Sequence, residues 1–407
     1  MTMTNLDLYQ TLCAAVVALW VGSYLKDRIA LLQRFCIPSP VVGGLLFAFI
    51  TLLGYMLGLF EVGFDSTLKN LFMVFFFTSV GYQANFKTIK MGGKPLLMMV
   101  LLVAVLVVIQ NGVAVGIAMG LGLDALVGMT AGSIPMVGGH GTSGAFGPIL
   151  EQMGVTGATS LTTAAATFGL VAGSLVGGPL AQRLIEKHHL LKSKGPAQKH
   201  SQSGEAELAE SLVKSQADKL KSKGNYTKAL YLLIIAVGAG TLVSYLLDLT
   251  GVTFPVYMGG LLAGCIIRNM DEFGHNWIGT PMREIDELGG ICLSLFLGIA
   301  MISLKLWELA SLALPLCLML GTQVIIMVLF AYFVCFRVMG RDYDAAVLSA
   351  GFCGFGMGAT PNAMANIQAV CDKYIPSVKA FLIIPIVGSM FTDFVNSLLI
   401  TFFINVL

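Results

Sequence analysis

The chain has 407 residues, of which 56% are hydrophobic and 11% charged, with a formal net charge of +2 and a mean hydropathy of +0.84. Soluble domains carry about 25% charged residues, so this composition excludes a soluble enzyme and a nucleic-acid-binding module and fits an all-α polytopic membrane protein. The eight cysteines have no CxxC or metal-like spacing and lie mostly in apolar runs, where a thiol acts as a small hydrophobe; no cofactor is expected.

Taken in chain order, apolar runs near the ~20 residues needed to cross a bilayer predict ten spans. The first, 8–25, has no basic residues before it and no small-residue cleavage site, so it reads as a span rather than a signal peptide. Spans follow at 41–60, 67–84 and 95–122. Residues 124–153 then interrupt the pattern with "GSIPMVGGHGTSGAFGP", and a span at 157–181 closes a first half, 1–182. The stretch 183–227 is polar, rich in Lys, Ser and Gln and nearly free of aromatics, which makes it a linker. The second half, 228–407, repeats the plan: spans at 228–248, 254–270, 288–304 and 310–336, an irregular stretch at 343–373, and a last span at 377–405.

Charge sets the orientation. With the linker in the cytoplasm, all of the 24 Lys and Arg residues except Lys69 and Lys305 fall on the inside, as the positive-inside rule requires. Both termini are then outside, and the loops alternate correctly only if 124–153 and 343–373 enter and return without crossing. The halves also resemble each other. "VVGGLLFAF" (41–49) matches "YMGGLLAGC" (257–265), with Gly43/Gly259 and Gly44/Gly260 in register, and Gly132/Gly351, Gly139/Gly358 and Gly169/Gly388 follow in the same order. Asp124 and Asp344 open the two irregular stretches. Five spans is an odd number, so a duplicated half lies upside down, giving two inverted-topology repeats of five transmembrane helices. Chance similarity among glycine-rich segments is the competing explanation.

Glycine-rich backbone at membrane depth is tolerated only where it is buried in protein or lines a cavity. Each irregular stretch is therefore expected to be a re-entrant hairpin, the first entering from outside and the second from the cytoplasm, with tips meeting near the midplane. Half-helix N-termini there direct free N–H groups and a positive dipole end at an anion. No Lys or Arg lies well inside a span, so the expected substrate site consists of backbone N–H groups and polar side chains. Its members are Ser133, Gly138, Gly139, His140, Gly141, Thr142 and Ser143 from the first hairpin, Gly358, Thr360 and Asn362 from the second, and Asp393. Oxygens of Asn366, Ser389, Thr392, Asp393 and Asn396 are the expected ligands of a hard cation, Na⁺. Asp393 is the one carboxylate deep in a span, and its partner is either Na⁺ or a substrate ammonium group. Blander roles suit other residues: close helix packing for Thr163, Gly169, Gly173 and Gly177, and interhelical hydrogen bonding for Gln110, Asn111 and Gln323. His140 serves as a cap or as a ligand. His188, His189, His200 and His275 need only solvent.

"GGHGT" (138–142), "TFGLVAGSLVGGP" (167–179) and "DAAVLSAGFCGFGMGATPNAMANIQAV" (344–370) closely resemble the bacterial sodium/glutamate symporter family, as do "IPSPVVGGLL" (37–46) and "LKLWELASLALP" (304–315). The resemblance implies Na⁺-coupled uptake of L-glutamate across the bacterial inner membrane by a multi-pass homodimer. Phe352 and Asn362 depart from the expected pattern, a histidine and a threonine respectively, whereas Asp393 and the "GATP" turn (358–361) are intact. The expected mechanism is alternating access, with the hairpin tips and spans 157–181 and 377–405 moving against a scaffold that includes 41–60 and 254–270. Two other readings stay open: a Na⁺ symporter for another dicarboxylate or a hydroxycarboxylate, and an intramembrane hydrolase using Ser143 and His140 of "HGTSG".

Overall fold

The computed structural model describes residues 2–35, 37–193, 225–249, 256–273, 278–307 and 312–407. Most of the expected linker, 194–224, lies outside the described residues. In chain order the helices are α1 (Leu8–Arg28), α2 (Ala30–Arg34), α3 (Ser39–Met56), α4 (Thr67–Gln83) and α5 (Phe86–Gly120). Three short pieces follow: α6 (Ala125–Met129), α7 (Ser133–Met136) and α8 (Gly139–Gln152). Then come α9 (Ala158–Lys187), α10 (Tyr226–Asp248), α11 (Val256–Phe273) and α12 (Met282–Ile302). α13 (Ala313–Val338) contains a π-helical turn at Phe330–Cys335. α14 (Tyr343–Met357) and α15 (Thr360–Lys373) form the second broken pair, and α16 (Val378–Val406) has a π turn at Val387–Phe391.

Eight of these helices are long and apolar enough to cross a membrane. The other two expected spans are also helical. α4 has 17 residues, and α11 carries Arg268, Asp271 and Glu272 in its last turns. The exterior is apolar, with Trp20 74%, Ile235 60%, Leu314 82% and Phe402 61% exposed. One element departs from an all-α plan: Thr2–Asn5 pairs in parallel with Phe60–Gly63, a four-residue ladder. Both ends of the stretch read as a linker are helical, since α9 continues through Lys187 and α10 begins at Tyr226.

Two bodies share the chain. In the first, α1 crosses α3 and α10 crosses α11 with bare backbone at both crossings. A Cβ on Gly43 would collide with the Ala18 carbonyl, and one on Gly22 with the Ser39 carbonyl. Gly259 meets the Gly240 carbonyl in the same way, and a Cβ on Gly240 would lie 2.6 Å from Gly260 Cα. Such close approach maximises van der Waals contact where lipid gives helices no hydrophobic reason to associate. α3 then packs on α12 through Gly44 and Met301, and α11 on α4 through Gly260 and Thr78. The two halves thus exchange partners at corresponding places.

The second body contains α5–α9 and α13–α16 around a core that includes Leu106, Met136, Leu161, Met327, Phe352 and Ile384. It meets the first body where Ile134, Phe146 and Ile400 pack with Val41, Phe77, Tyr257 and Phe296. Phe146 stands edge-on to Tyr257, ring centroids 5.5 Å apart.

The crossings predict a contrast. Gly43→Ile forces overpacking against backbone and should cost about 1–3 kcal/mol. Gly112→Ala, with nothing within 4 Å of the added Cβ, should be neutral or stabilising by up to about 1 kcal/mol. Thermal unfolding midpoints of the two variants in detergent check this.

Candidate functional site

Both irregular stretches are broken helices. α6 starts at Asp124, whose side chain accepts the Leu126 N–H at 2.8 Å. α14 starts at Asp342, which accepts the Ala345 N–H at 2.7 Å. The cap of the second stretch is therefore Asp342, and Asp344 instead accepts the Ser377 hydroxyl at 2.7 Å. The breaks fall at Val137–Gly138 and at Gly358–Ala359, where α8 and α15 begin. Neither α8 nor α15 has a side-chain cap, so their first N–H groups are left without intrahelical partners.

The breaks touch. Gly139 has φ +57°, and a Cβ there would lie 3.2 Å from the Gly358 carbonyl oxygen. A side chain would meet both a left-handed backbone and the opposite tip. On Gly138, a Cβ would collide with the Thr142 hydroxyl and lie 2.8 Å from Asn396 Nδ2. A Cβ on Gly354 would collide with Ala363 Cα, which places α14 flat against α15.

Each broken segment is gripped by a helix of the other half. On α15, Asn362 donates from Nδ2 to the Leu170 carbonyl at 2.9 Å and to Ser174 Oγ at 2.5 Å, both on α9. Asn366 Nδ2 donates to the Gly173 carbonyl at 2.8 Å. Gly169 and Gly173 pack against the Met357 and Cys353 carbonyls, which is the packing role expected of them. In the reverse sense, Asn396 on α16 donates from Nδ2 to the Ser133 carbonyl at 3.2 Å. A Cβ on Gly388 would lie 2.7 Å from Thr360 Oγ1. In Asn362 and Asn396 the nitrogen is committed to a carbonyl, and Oδ1 is buried without a partner among the described residues, as is Ser133 Oγ. Such oxygens are costly to bury unless something supplies a positive charge or a proton.

The remaining expected site residues divide. Thr142 is buried beside the first break. Gly141 faces away from the second half-helix, with Phe76 Cε1 3.3 Å and Leu293 Cδ1 3.6 Å from a Cβ there, and Gly144 meets Phe296 in the same row. Ser143 turns to α9, donating to the Thr162 carbonyl at 3.1 Å. Thr392 donates to the Val387 carbonyl at 2.9 Å inside the π turn. Ser389 is exposed and donates to the Pro385 carbonyl at 2.6 Å. Asp393 is half-buried in the first turn after the π turn and has no hydrogen bond or ion pair among the described residues. Among those residues no cluster of three or more His, Cys, Asp or Glu is gathered, so a cation here meets amide, hydroxyl and carbonyl oxygens and Asp393.

His140 Nε2 lies 2.9 Å from Thr167 Oγ1, and that hydroxyl donates to the Thr163 carbonyl at 3.0 Å. With the threonine's one proton given to the Thr163 carbonyl, this pairing assigns the proton on Nε2 to His140. His140 and Ser143 therefore serve different partners and do not form a nucleophile–base pair. Sequence reasoning gave Phe76, Leu293 and Phe296 no place at the site. Nothing in their local pattern distinguishes them from other apolar span residues.

The sodium/glutamate symporter family matches residues 4–376. The chain is 40% identical over 404 residues to the sodium/glutamate symporter of Escherichia coli strain K12, covering 99% of this chain and 98% of the relative. To the sodium/glutamate symporter of Haemophilus influenzae it is 39% identical over 399 residues, covering 96% of each.

The His140 geometry is testable by ¹⁵N NMR of histidine-labelled protein. The Nε2–H form should be seen at His140, and Thr167→Val should lose that signature and about 1 kcal/mol of stability. A bare Nε2 in the parent protein would contradict the assignment.

Proposed function

The chain belongs to the sodium/glutamate symporter family, and on that premise we propose that it imports L-glutamate with Na⁺ by alternating access at the paired breaks. It is a multi-pass membrane protein of a transporter family, not an enzyme. The observation that carries the site is the meeting of two uncapped half-helix N-termini, α8 and α15, with Gly139 against Gly358. Two positive dipole ends with free N–H groups suit the two carboxylates of glutamate. Backbone N–H groups of 139–141, 360 and 362 hold those carboxylates, and His140, Thr142 and Thr360 line them. Asp393 sits by the ammonium group or a Na⁺.

Na⁺ is taken by oxygens with nothing else to bind: Asn396 Oδ1, Asn362 Oδ1, Ser133 Oγ and the Asp393 carboxylate. Asn366 and Thr392 support these positions, and exposed Ser389 lies at the margin. Glutamate has a net charge of −1 at neutral pH, and an inside-negative potential opposes its entry. At least two Na⁺ per glutamate make the step net positive and driven by the potential.

The remaining architecture follows in this reading. The halves are inverted repeats, supported by the matching crossings at Gly22/Gly43 and Gly240/Gly259 and by the partner exchange at Gly44/Met301 and Gly260/Thr78. The broken segments are re-entrant, α6–α8 from outside and α14–α15 from the cytoplasm. The protein resides in the bacterial inner membrane, with its apolar exterior in lipid, both termini outside and the linker in the cytoplasm. The body of α5–α9 and α13–α16 moves, and the body of α1, α3, α4 and α10–α12 is the scaffold and homodimer surface.

Proteoliposomes loaded with K⁺ and treated with valinomycin provide the test. Uptake of labelled L-glutamate should need a Na⁺ gradient and rise with an inside-negative potential. Asp393→Asn should lower Na⁺-driven uptake at least tenfold, about 1.4 kcal/mol or more. Full uptake with unchanged Na⁺ dependence in that variant would remove Asp393 from the site.

A further inference from the structure

The two breaks are also tied together at a distance from their tips, by consecutive residues of α5. Gln110 Nε2 donates to the Gly356 carbonyl at 3.0 Å, on the last turn of α14 before the second break. The next residue, Asn111, accepts the Ser133 N–H on Oδ1 at 2.7 Å, at the start of α7 before the first break. Ser133 is held from its other side by Asn396. Gln323 on α13 donates from Nε2 to the Gln110 carbonyl at 2.9 Å. All five residues, Gln110, Asn111, Ser133, Gln323 and Asn396, are at most 1% exposed. The orientation of each amide is fixed, because its nitrogen donates to a carbonyl or, in Asn111, its oxygen takes an N–H.

These contacts form one chain: Asn396, Ser133, Asn111, Gln110, Gly356. It crosses from α16 through the first broken segment and α5 to the second. A helix presents successive residues about 100° apart, so one dipeptide reaches two neighbours on different sides. Gln323 steadies it from the second half by binding its backbone.

We propose that Gln110 and Asn111 are positioning residues that hold the two breaks in register, so that the paired N-termini make one binding site. The inference rests on the symport reading above. Neither residue needs to touch the substrate. Loss of either contact leaves a buried carbonyl or N–H unpartnered in a segment that is not a continuous helix, and the tips separate or rotate. Substrate affinity then falls before protein quantity does.

Initial rates of Na⁺-driven L-glutamate uptake, per reconstituted full-length protein, test this. Gln110→Leu and Asn111→Leu should each raise the glutamate KM about tenfold, with the maximal rate within about twofold of the parent. Gln110→Glu provides a readout that packing alone does not move. Its carboxyl group donates to the Gly356 carbonyl only when protonated, so its KM, relative to the parent at each pH, should improve on acidification and worsen on alkalinisation. The inference is overturned if the Leu variants keep the parental KM and lose rate only in step with folded protein. It is equally overturned if Gln110→Glu tracks the parental pH profile. Absence of Na⁺-driven uptake by the parent chain would instead overturn the symport reading, and this inference with it.

Discussion

A helix interrupted inside an apolar body must find partners for the backbone groups it releases, and the rest of this structure is arranged around that need. Among the described residues the first stretch is interrupted at 130–132 and 137–138 and the second at Gly358–Ala359, and their loose ends are answered by side-chain amides. Asn111, Asn396 and Gln110 serve backbone groups beside the breaks, and Asn362 and Asn366 reach back to carbonyls of α9. An unmade hydrogen bond in such surroundings costs about 1–3 kcal/mol, so these amides decide whether the breaks are tolerable at all. The N–H groups left over, at the starts of α8 and α15, are the ones available to a ligand.

The supporting amides come from remote parts of the chain. Ser133 and Asn396 are separated by 263 positions, Gln110 and Gly356 by 246. The broken segments therefore close only when both halves are present and correctly docked. The site is a product of the whole fold: Asn111 serves a broken segment of its own half, but Gln110, Asn362, Asn366 and Asn396 each bond to the other half.

This explains what was legible in the sequence. Hydropathy located the spans, because a membrane helix needs only length and apolarity, and glycine clusters pointed to the two broken stretches, although α8, α9 and α14 each run unbroken through several glycines. The ladder of Thr2–Asn5 with Phe60–Gly63 was invisible, since four residues per strand have no period to detect. Asp344 matches Asp124 in sequence at the openings of the two irregular stretches, but the residue that caps the second is Asp342, two positions earlier. Gln110, Asn111 and Gln323 were rightly read as hydrogen-bonding residues, but Gln110 and Asn111 bond to backbone of the broken segments and Gln323 to the Gln110 carbonyl, and backbone has no sequence signature. Asn362 stood out as a departure from the family pattern. Its bonds to Leu170 and Ser174 show why an amide fits there, with a reach and a second donor that a threonine lacks.

The face of α8 at Gly141 and Gly144 lies on Phe76, Leu293 and Phe296 of α4 and α12. The contacts along this row are hydrocarbon on hydrocarbon, and the glycines offer no side chain to lock into the opposing rings. Dispersion forces vary gently with lateral displacement, whereas a hydrogen bond must break before its donor moves on. A seam of this kind adheres without fixing position. In the alternating-access reading proposed above, it is the contact on which one body would slide against the other.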